Sequence, residues 1–341
     1  MDKFRIDSHK LEFHPHRVAQ WMDAKDDWEK AKKVYPIYVE VSPMGACNHR
    51  CTFCAVDYIG YKATNVLDAD RWDGIVTEMG NLGVKSIMFA GEGEPLLHKQ
   101  INRMVTDTLA SGIDVAFTTN GILLNKLELD VVSWVKVSVN AGTRETYAKV
   151  HRTKEKDWDA LWENLRDAVK RKGNCTLGVQ MVCLPENAGE EKELQALCDD
   201  AGVDYLVLKP YSQHKMSITH QYEGYKPINL PAGKGTVIRE EAIKTETHAY
   251  EKCNATPFFW SYIMASGDVY SCSAYLLDER FNLGNINQQT FEEIWTGDRR
   301  KRNWEFVRKE LDIHECRVNC RMDKANKFLW GFEHQEHVNF V

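Results

Sequence analysis

No run of about 18 uninterrupted apolar residues occurs in this chain, so no segment reads as a membrane-spanning helix. The first residues, Met1-Asp-Lys-Phe-Arg5, lack the apolar core of a signal peptide, and a cytoplasmic location without membrane partners is expected. Basic residues are not in excess either. With 44 Lys and Arg against 50 Asp and Glu, the formal net charge is -6, which argues against a nucleic-acid partner held on a general basic surface and leaves only local patches open. In a reducing compartment the 10 cysteines are expected as metal ligands or buried thiols rather than disulfides. Seven of them cluster and three do not.

What is present is a chain of 341 residues with a 43% hydrophobic fraction, enough for one large α/β domain plus something smaller. Residues 1–36 carry a helical pattern around Val18, Trp21 and Met22 and stop at Pro36, as an N-terminal helical cap would. Strand-like runs follow at 37–42, 85–90, 114–119, 134–139, 176–184 and 204–209. Helical patterns near 70–81, 98–111, 123–131, 157–172 and 189–201 lie between them. Such alternation implies parallel strands with right-handed crossovers, and six units over residues 37–215 predict an open or partial (βα)6 barrel of the TIM type. Residues 216–250 read as a linker. From 251 to 341 a hairpin around Ser266-Gly-Asp268 and two short helices predict a small α+β domain, too small to stand without a staple.

Period-two reading of the strands puts Glu40, Ser42, Lys136, Ser138, Asn140, Gln180 and Lys209 on the inward face, where a packed barrel would carry branched apolar residues. That predicts a polar, ligand-filled interior.

After the first strand comes Cys47-Asn-His-Arg-Cys51-Thr-Phe-Cys54, three thiols within eight residues. Structural zinc takes four ligands, and ferredoxin-type clusters take four cysteines in another spacing, so a three-thiol loop points to a cluster with one iron left open. A second group, Cys253, Cys272, Cys316 and Cys320, offers four thiols, and spacing alone does not separate structural zinc from a complete iron-sulfur cluster.

The C-x3-C-x2-C loop, with Phe53 before its third cysteine, resembles the signature of the radical S-adenosylmethionine (SAM) superfamily. The resemblance implies a [4Fe-4S] cluster on Cys47, Cys51 and Cys54, with SAM on the open iron as the source of a 5′-deoxyadenosyl radical. Gly91-Glu92-Gly93-Glu94-Pro95 resembles the family's GGEP motif, with Glu92 where glycine is common. Thr119 and Asn120 match a family turn, and Ser138 and Asn140 match polar positions near SAM. The C-terminal cysteines, the Leu283-Gly-Asn-Ile286 segment and Trp295 resemble the SPASM or twitch extension. This implies one auxiliary [4Fe-4S] cluster closed by Cys253, Cys272, Cys316 and Cys320, and a low-potential electron donor such as flavodoxin or ferredoxin as partner.

Lys209, Glu40, Lys136, Gln213 and His214 are candidates for acid-base or hydrogen-bonding work on a substrate. Cys183 is a candidate hydrogen-atom donor, although its parity matches the helix-covered Val179 and Met181. The expected reaction is oxidation or epimerisation of a small polar molecule, such as a sugar, aminocyclitol or nucleoside derivative. A peptide- or protein-modifying maturase is the alternative, and a non-catalytic zinc- or cluster-binding module the reading from another class.

Overall fold

The chain enters through α1 (Pro15–Ala24) and α2 (Trp28–Ala31), then lays down six parallel strands in sequence order. They are β1 (Tyr38–Val41), β2 (Ser86–Phe89), β3 (Asp114–Thr119), β4 (Trp134–Ser138), β5 (Thr176–Cys183) and β6 (Tyr205–Pro210). α3 (Ala69–Asn81), α4 (Ile101–Ala110), α5 (Arg144–His151), α6 (Lys156–Arg171) and α7 (Glu191–Ala201) supply the crossovers. The computed structural model describes residues 3–6, 8–227, 230–231, 233–239, 243, 247–317 and 320–340. Among them, no helix is long and apolar enough to cross a membrane.

Alternation of side chains along each strand divides the sheet into two faces. Val39, Val41, Ile87, Phe89, Val115, Phe117, Val135, Val137, Val179 and Met181 bury themselves under the helices in one large core. Glu40, Met88 and Ala116 are register partners in turn on the opposite face, as are Thr118, Lys136 and Gly178. Ser138 pairs with Gln180 and Val182 with Lys209 on that same face. The polar interior expected from the sequence is therefore present.

Three segments differ from expectation. The helix expected at 123–131 is only a turn at Leu124–Lys126. There the Asn102 amide donates to the Lys126 carbonyl at 2.8 Å and accepts from Glu128 N at 3.2 Å, so the backbone is satisfied without a helix while Leu124, Leu127 and Leu129 enter the core. Within the stretch read as a linker, Thr236–Ile238 forms β7, parallel to β6. α5 carried too few apolar residues to announce itself, yet Tyr147, Val150 and His151 are buried.

The C-terminal region also joins the barrel directly. β8 (Trp260–Ile263) pairs parallel with β1, and β9 (Asp268–Tyr270) and β10 (Asn282–Asn285) continue antiparallel from it. One ten-stranded sheet results, in the order β10-β9-β8-β1-β2-β3-β4-β5-β6-β7. A second core unites α1 and α2 with this region, through Trp21, Ala31 and Ile37 against Phe258, Phe259, Trp304 and Leu329. The fully buried Arg300 ties them further by donating to the carbonyls of Ala31, Pro257 and Trp295.

Candidate active site

The Cys47–Cys54 loop leaves the end of β1 without regular structure and is held by its backbone. Glu94 N donates to Ala46 O at 2.8 Å, Arg50 N to His151 O at 3.1 Å and Thr52 N to Val150 O at 2.8 Å. Gly93 lies so close beneath that a Cβ there would come within 2.2 Å of Met44 O and 2.3 Å of Ala46 O. Burial pushes the Cys47 thiol up to about 11 and the Cys51 thiol well above its usual value, and the neighbouring thiols Cys54 and Cys47 raise Cys51 further. The three half-buried thiols therefore lie near one another, and a metal would supply the charge that favours their thiolate forms. That donor set fits an iron-sulfur cluster.

Glu94 accepts from Leu96 N at 3.1 Å, Thr119 Oγ1 at 2.6 Å and Asn120 N at 2.8 Å, so the second and third loops are locked together. Asn120 Nδ2 reaches back to Asn48 Oδ1 at 2.6 Å, in the cysteine loop. Gly91 takes φ +120, which glycine tolerates, whereas Glu92 keeps a negative φ, so the departure from glycine at that position strains nothing. The Glu92 carboxylate instead accepts from Ala265 N at 2.8 Å in the β8–β9 turn, and burial pushes it up to about 7. Ser138 stays half-buried on the inner face. Asn140 is engaged within the protein: its Oδ1 accepts from Val182 N at 2.7 Å and its carbonyl from Asn187 Nδ2 at 2.8 Å. These bonds tie β4 to β5.

The four C-terminal thiols also converge. Burial raises the Cys272 thiol well above its usual value, with Cys320, Cys253 and Cys316 adding to the effect. Tyr275 Oη lies 3.2 Å from Cys316 Sγ, and Asn326 Nδ2 donates to Cys253 Sγ at 3.4 Å. A closed four-thiolate site fits these residues.

The inner face also carries a group of cations. Lys209 is pushed far below the usual lysine range by burial, then by Lys136, Arg239, Arg317 and Arg321. Lys136 is pushed down to about 7 by burial, Arg321 and Arg239. Among the described residues no hydrogen bond or ion pair meets either ammonium. Arg321 pairs with Glu40 at 3.2 Å and donates to Tyr38 Oη at 2.7 Å, yet its side chain remains 42% accessible, so it faces solvent inside the fold. Arg317 donates to Ser212 Oγ at 3.1 Å.

Of the candidates read from the sequence, Glu40, Lys136 and Lys209 meet in this interior. Cys183 does not: it is 1% exposed in the helix-covered core, and its role is packing. Gln213 and His214 serve the segment around them. Gln213 Nε2 donates to Thr219 O at 2.9 Å, while His214 stacks on Tyr58 at 5.2 Å and accepts from Met216 N at 3.1 Å. Sequence reasoning missed Arg317 and Arg321, although an arginine directly after each cysteine of the Cys316/Cys320 pair was a readable signal.

The radical SAM superfamily model matches residues 41–198, and the iron-sulfur cluster-binding domain model called SPASM matches residues 253–321. The chain therefore carries a radical SAM domain followed by a SPASM domain, and these domains imply a SAM-binding [4Fe-4S] cluster and an auxiliary one. It is similar to GTP 3′,8-cyclase of Chlorobaculum tepidum, 29% identical over 204 residues that make up 56% of this chain and 59% of that protein. It is also similar to GTP 3′,8-cyclase of Aliarcobacter butzleri, 26% identical over 60% of this chain and 62% of that protein. The chain thus spans about three fifths of the length of these relatives. Among solved structures, Streptococcus suis SuiB bound to precursor peptide SuiA superposes with a TM-score of 0.60 at 15% identity, covering 84% of this chain and 69% of that one, which shows a shared fold.

The expected oxidation or epimerisation of a sugar, aminocyclitol or nucleoside derivative is overturned by these relatives, whose shared name describes ring formation on GTP. The sequence reading saw an interior that was polar. It did not see that its charges are mostly of one sign, because two of the cations arrive from the C-terminal domain.

Proposed function

We propose that this radical SAM enzyme acts on a phosphorylated purine nucleotide of the GTP kind, with the phosphates seated among Lys136, Lys209, Arg239, Arg317 and Arg321. The observation that carries the reading is the convergence of Lys136, Lys209, Arg317 and Arg321 in an interior where Glu40 pairs with Arg321. Crowding like charges in a partly dehydrated space is unfavourable, and a polyanion relieves it. Guanidinium groups also match phosphate oxygens two at a time. The curated relatives, named for GTP, point to the same substrate class. Cys47, Cys51 and Cys54 would hold the cluster, which with SAM would supply radical chemistry for hydrogen abstraction. The chain's own residues then hold the nucleotide: the cations fix its phosphate end, and the Glu94–Thr119–Asn120 lock keeps the cysteine loop in register above it. The four-thiolate site leaves no open iron and supports the arrangement. A low-potential donor of the flavodoxin or ferredoxin type supplies the electron.

Anaerobic incubation of the reconstituted chain with reductant, SAM and deuterated GTP tests this. GTP-dependent 5′-deoxyadenosine carrying deuterium is expected, and Lys209→Met should weaken GTP binding at least tenfold while leaving SAM cleavage without substrate unchanged. Equal affinity for GTP and guanosine, or turnover of a peptide in place of a nucleotide, would overturn the proposal.

A further inference from the structure

A cluster on three thiols leaves the residues around Cys51 only partly explained. His49 lies between Cys47 and Cys51, is 1% exposed, and neither of its ring nitrogens has a protein partner among the described residues. A buried imidazole without a partner is unfavourable unless something else occupies the space it faces. His151, the last residue of α5, is fully buried beside Cys51, with its ring 5.1 Å from that of His49. Its Nε2 lies 2.9 Å from Val139 O and its Nδ1 lies 3.2 Å from Cys51 Sγ. A carbonyl oxygen only accepts, so Nε2 carries the proton and Nδ1 turns its lone pair toward Cys51. The Asn140 amide nitrogen at 3.4 Å from Nε2 is a longer contact and does not reverse this.

An imidazole that donates one ring N–H to a backbone carbonyl and presents the other nitrogen bare is the usual arrangement of a histidine metal ligand. One donor atom each of His49, Cys51 and His151 lie within 4.8 Å of one another. Around an ion with bonds of about 2.0–2.3 Å, tetrahedral donor atoms sit about 3.4–3.6 Å apart, so an inward adjustment of about 1 Å closes the site. Two nitrogens and one thiolate suit a borderline or soft divalent transition ion rather than Mg2+ or Ca2+.

We propose that, before the cluster is in place, a single divalent transition-metal ion is bound by His49, Cys51 and His151. Iron(II) is the natural occupant, as the first iron to enter the loop. The state and the cluster exclude each other, because Cys51 serves both; Cys47 and Cys54 stay free in the first state to complete the second. Binding exchanges the Cys51 thiol proton for the ion, and no electron moves. The proposal rests on the reading of Cys47, Cys51 and Cys54 as the cluster loop, and the variants below test the two separately.

Cobalt(II) is the probe, added anaerobically to the iron-free full-length chain. Two Co2+ per chain are expected, one at the loop and one at the four C-terminal thiols. His49→Ala, His151→Ala and Cys51→Ala should each lose one of them together with its thiolate charge-transfer band, whereas Cys47→Ala and Cys54→Ala should keep both. A loop ion that survives His49→Ala and disappears in Cys47→Ala, or cobalt at the C-terminal thiols alone, would overturn the proposal while leaving the cluster reading intact. Since alanine at the buried His151 can disturb α5, a second measurement avoids that variant. Zinc-edge X-ray absorption on the Cys272→Ala/Cys316→Ala chain, which keeps only two C-terminal thiols, should show a shell of two nitrogens and one sulfur, and a three-sulfur shell would equally overturn the assignment.

Discussion

Replacing Gly93 by alanine tests how the SAM-motif loop and the cysteine loop depend on each other. A Cβ at Gly93 would lie 2.2 Å from Met44 O, 2.3 Å from Ala46 O and 2.8 Å from Gly45 C. All three are backbone atoms and cannot swing aside as a side chain would. To restore contact distances, the 44–46 segment or the 91–94 turn has to move by about 1 Å, which breaks the 2.8 Å bond from Glu94 N to Ala46 O. Overpacking of this kind costs about 1–3 kcal/mol, and the lost buried hydrogen bond about 1 kcal/mol more. The sum, about 2–4 kcal/mol, shifts the equilibrium against the cysteine geometry by about 30- to 800-fold. The assay is anaerobic reconstitution followed by iron counting: with two [4Fe-4S] clusters expected in the parent chain, iron should fall from about eight to about four per chain, the auxiliary site keeping its share. Gly74→Ala on α3 is the control, because its Cβ would meet nothing within 4 Å. That change should leave iron unaltered and stabilise by about 0.5–1 kcal/mol through helix propensity. Full iron loading and normal SAM cleavage in Gly93→Ala would refute the reasoning.

The remaining predictions concern the thiols and the cations. Cys51→Ala should abolish SAM cleavage while leaving the auxiliary iron; loss of all iron would contradict two independent sites. Lys136, held near about 7 by burial, Arg321 and Arg239, is largely neutral above that pH and regains its proton beside a phosphate, so GTP affinity should weaken as pH rises through about 7, and Lys136→Met should flatten that dependence. The same group has a stability signature. Its folded value lies below its ordinary 10.5, the unfolded chain binds more protons between the two, and its contribution to stability should therefore rise with pH across that window, as urea titrations of parent and Lys136→Met would show.

The barrel was legible because parallel strands under helices need branched apolar residues at every second position, and Val39, Val41, Val135, Val137 and Val179 keep that period through short runs. The same period placed Glu40, Lys136 and Lys209 on the inner face and Cys183 under the helices, before any coordinates. What period and spacing do not carry is the company a residue keeps across the fold. Asn140 reads only as a polar residue at a strand end, whereas in the fold its carbonyl and side chain also bind within the β4–β5 connection. His151 stands 100 positions from Cys51 and reaches it only because α5 ends against the cysteine loop. The 123–131 segment shows the converse failure: its leucines fit a helical period, but the Asn102 side chain satisfies the backbone first.

The C-terminal cysteines acquire a second meaning from this geometry. Arg317 and Arg321 follow Cys316 and Cys320 directly in sequence, and Arg321 crosses to Glu40 and Tyr38 on β1. Each of these guanidinium groups lowers Lys209, so in the absence of an anion the cations repel one another. Side-chain entropy favours dispersing them into solvent. Pairing of β8 with β1 fixes one end of the C-terminal region, and Glu92 on Ala265 N fastens the turn beside it. Among the described residues of the short segment carrying the arginines, no such strand pairing occurs. A metal closed by Cys253, Cys272, Cys316 and Cys320 would pin that segment at both of its cysteines and hold the arginines facing the interior against their mutual repulsion. On this reasoning the four-thiolate site would serve the proposed substrate recognition by positioning the arginines.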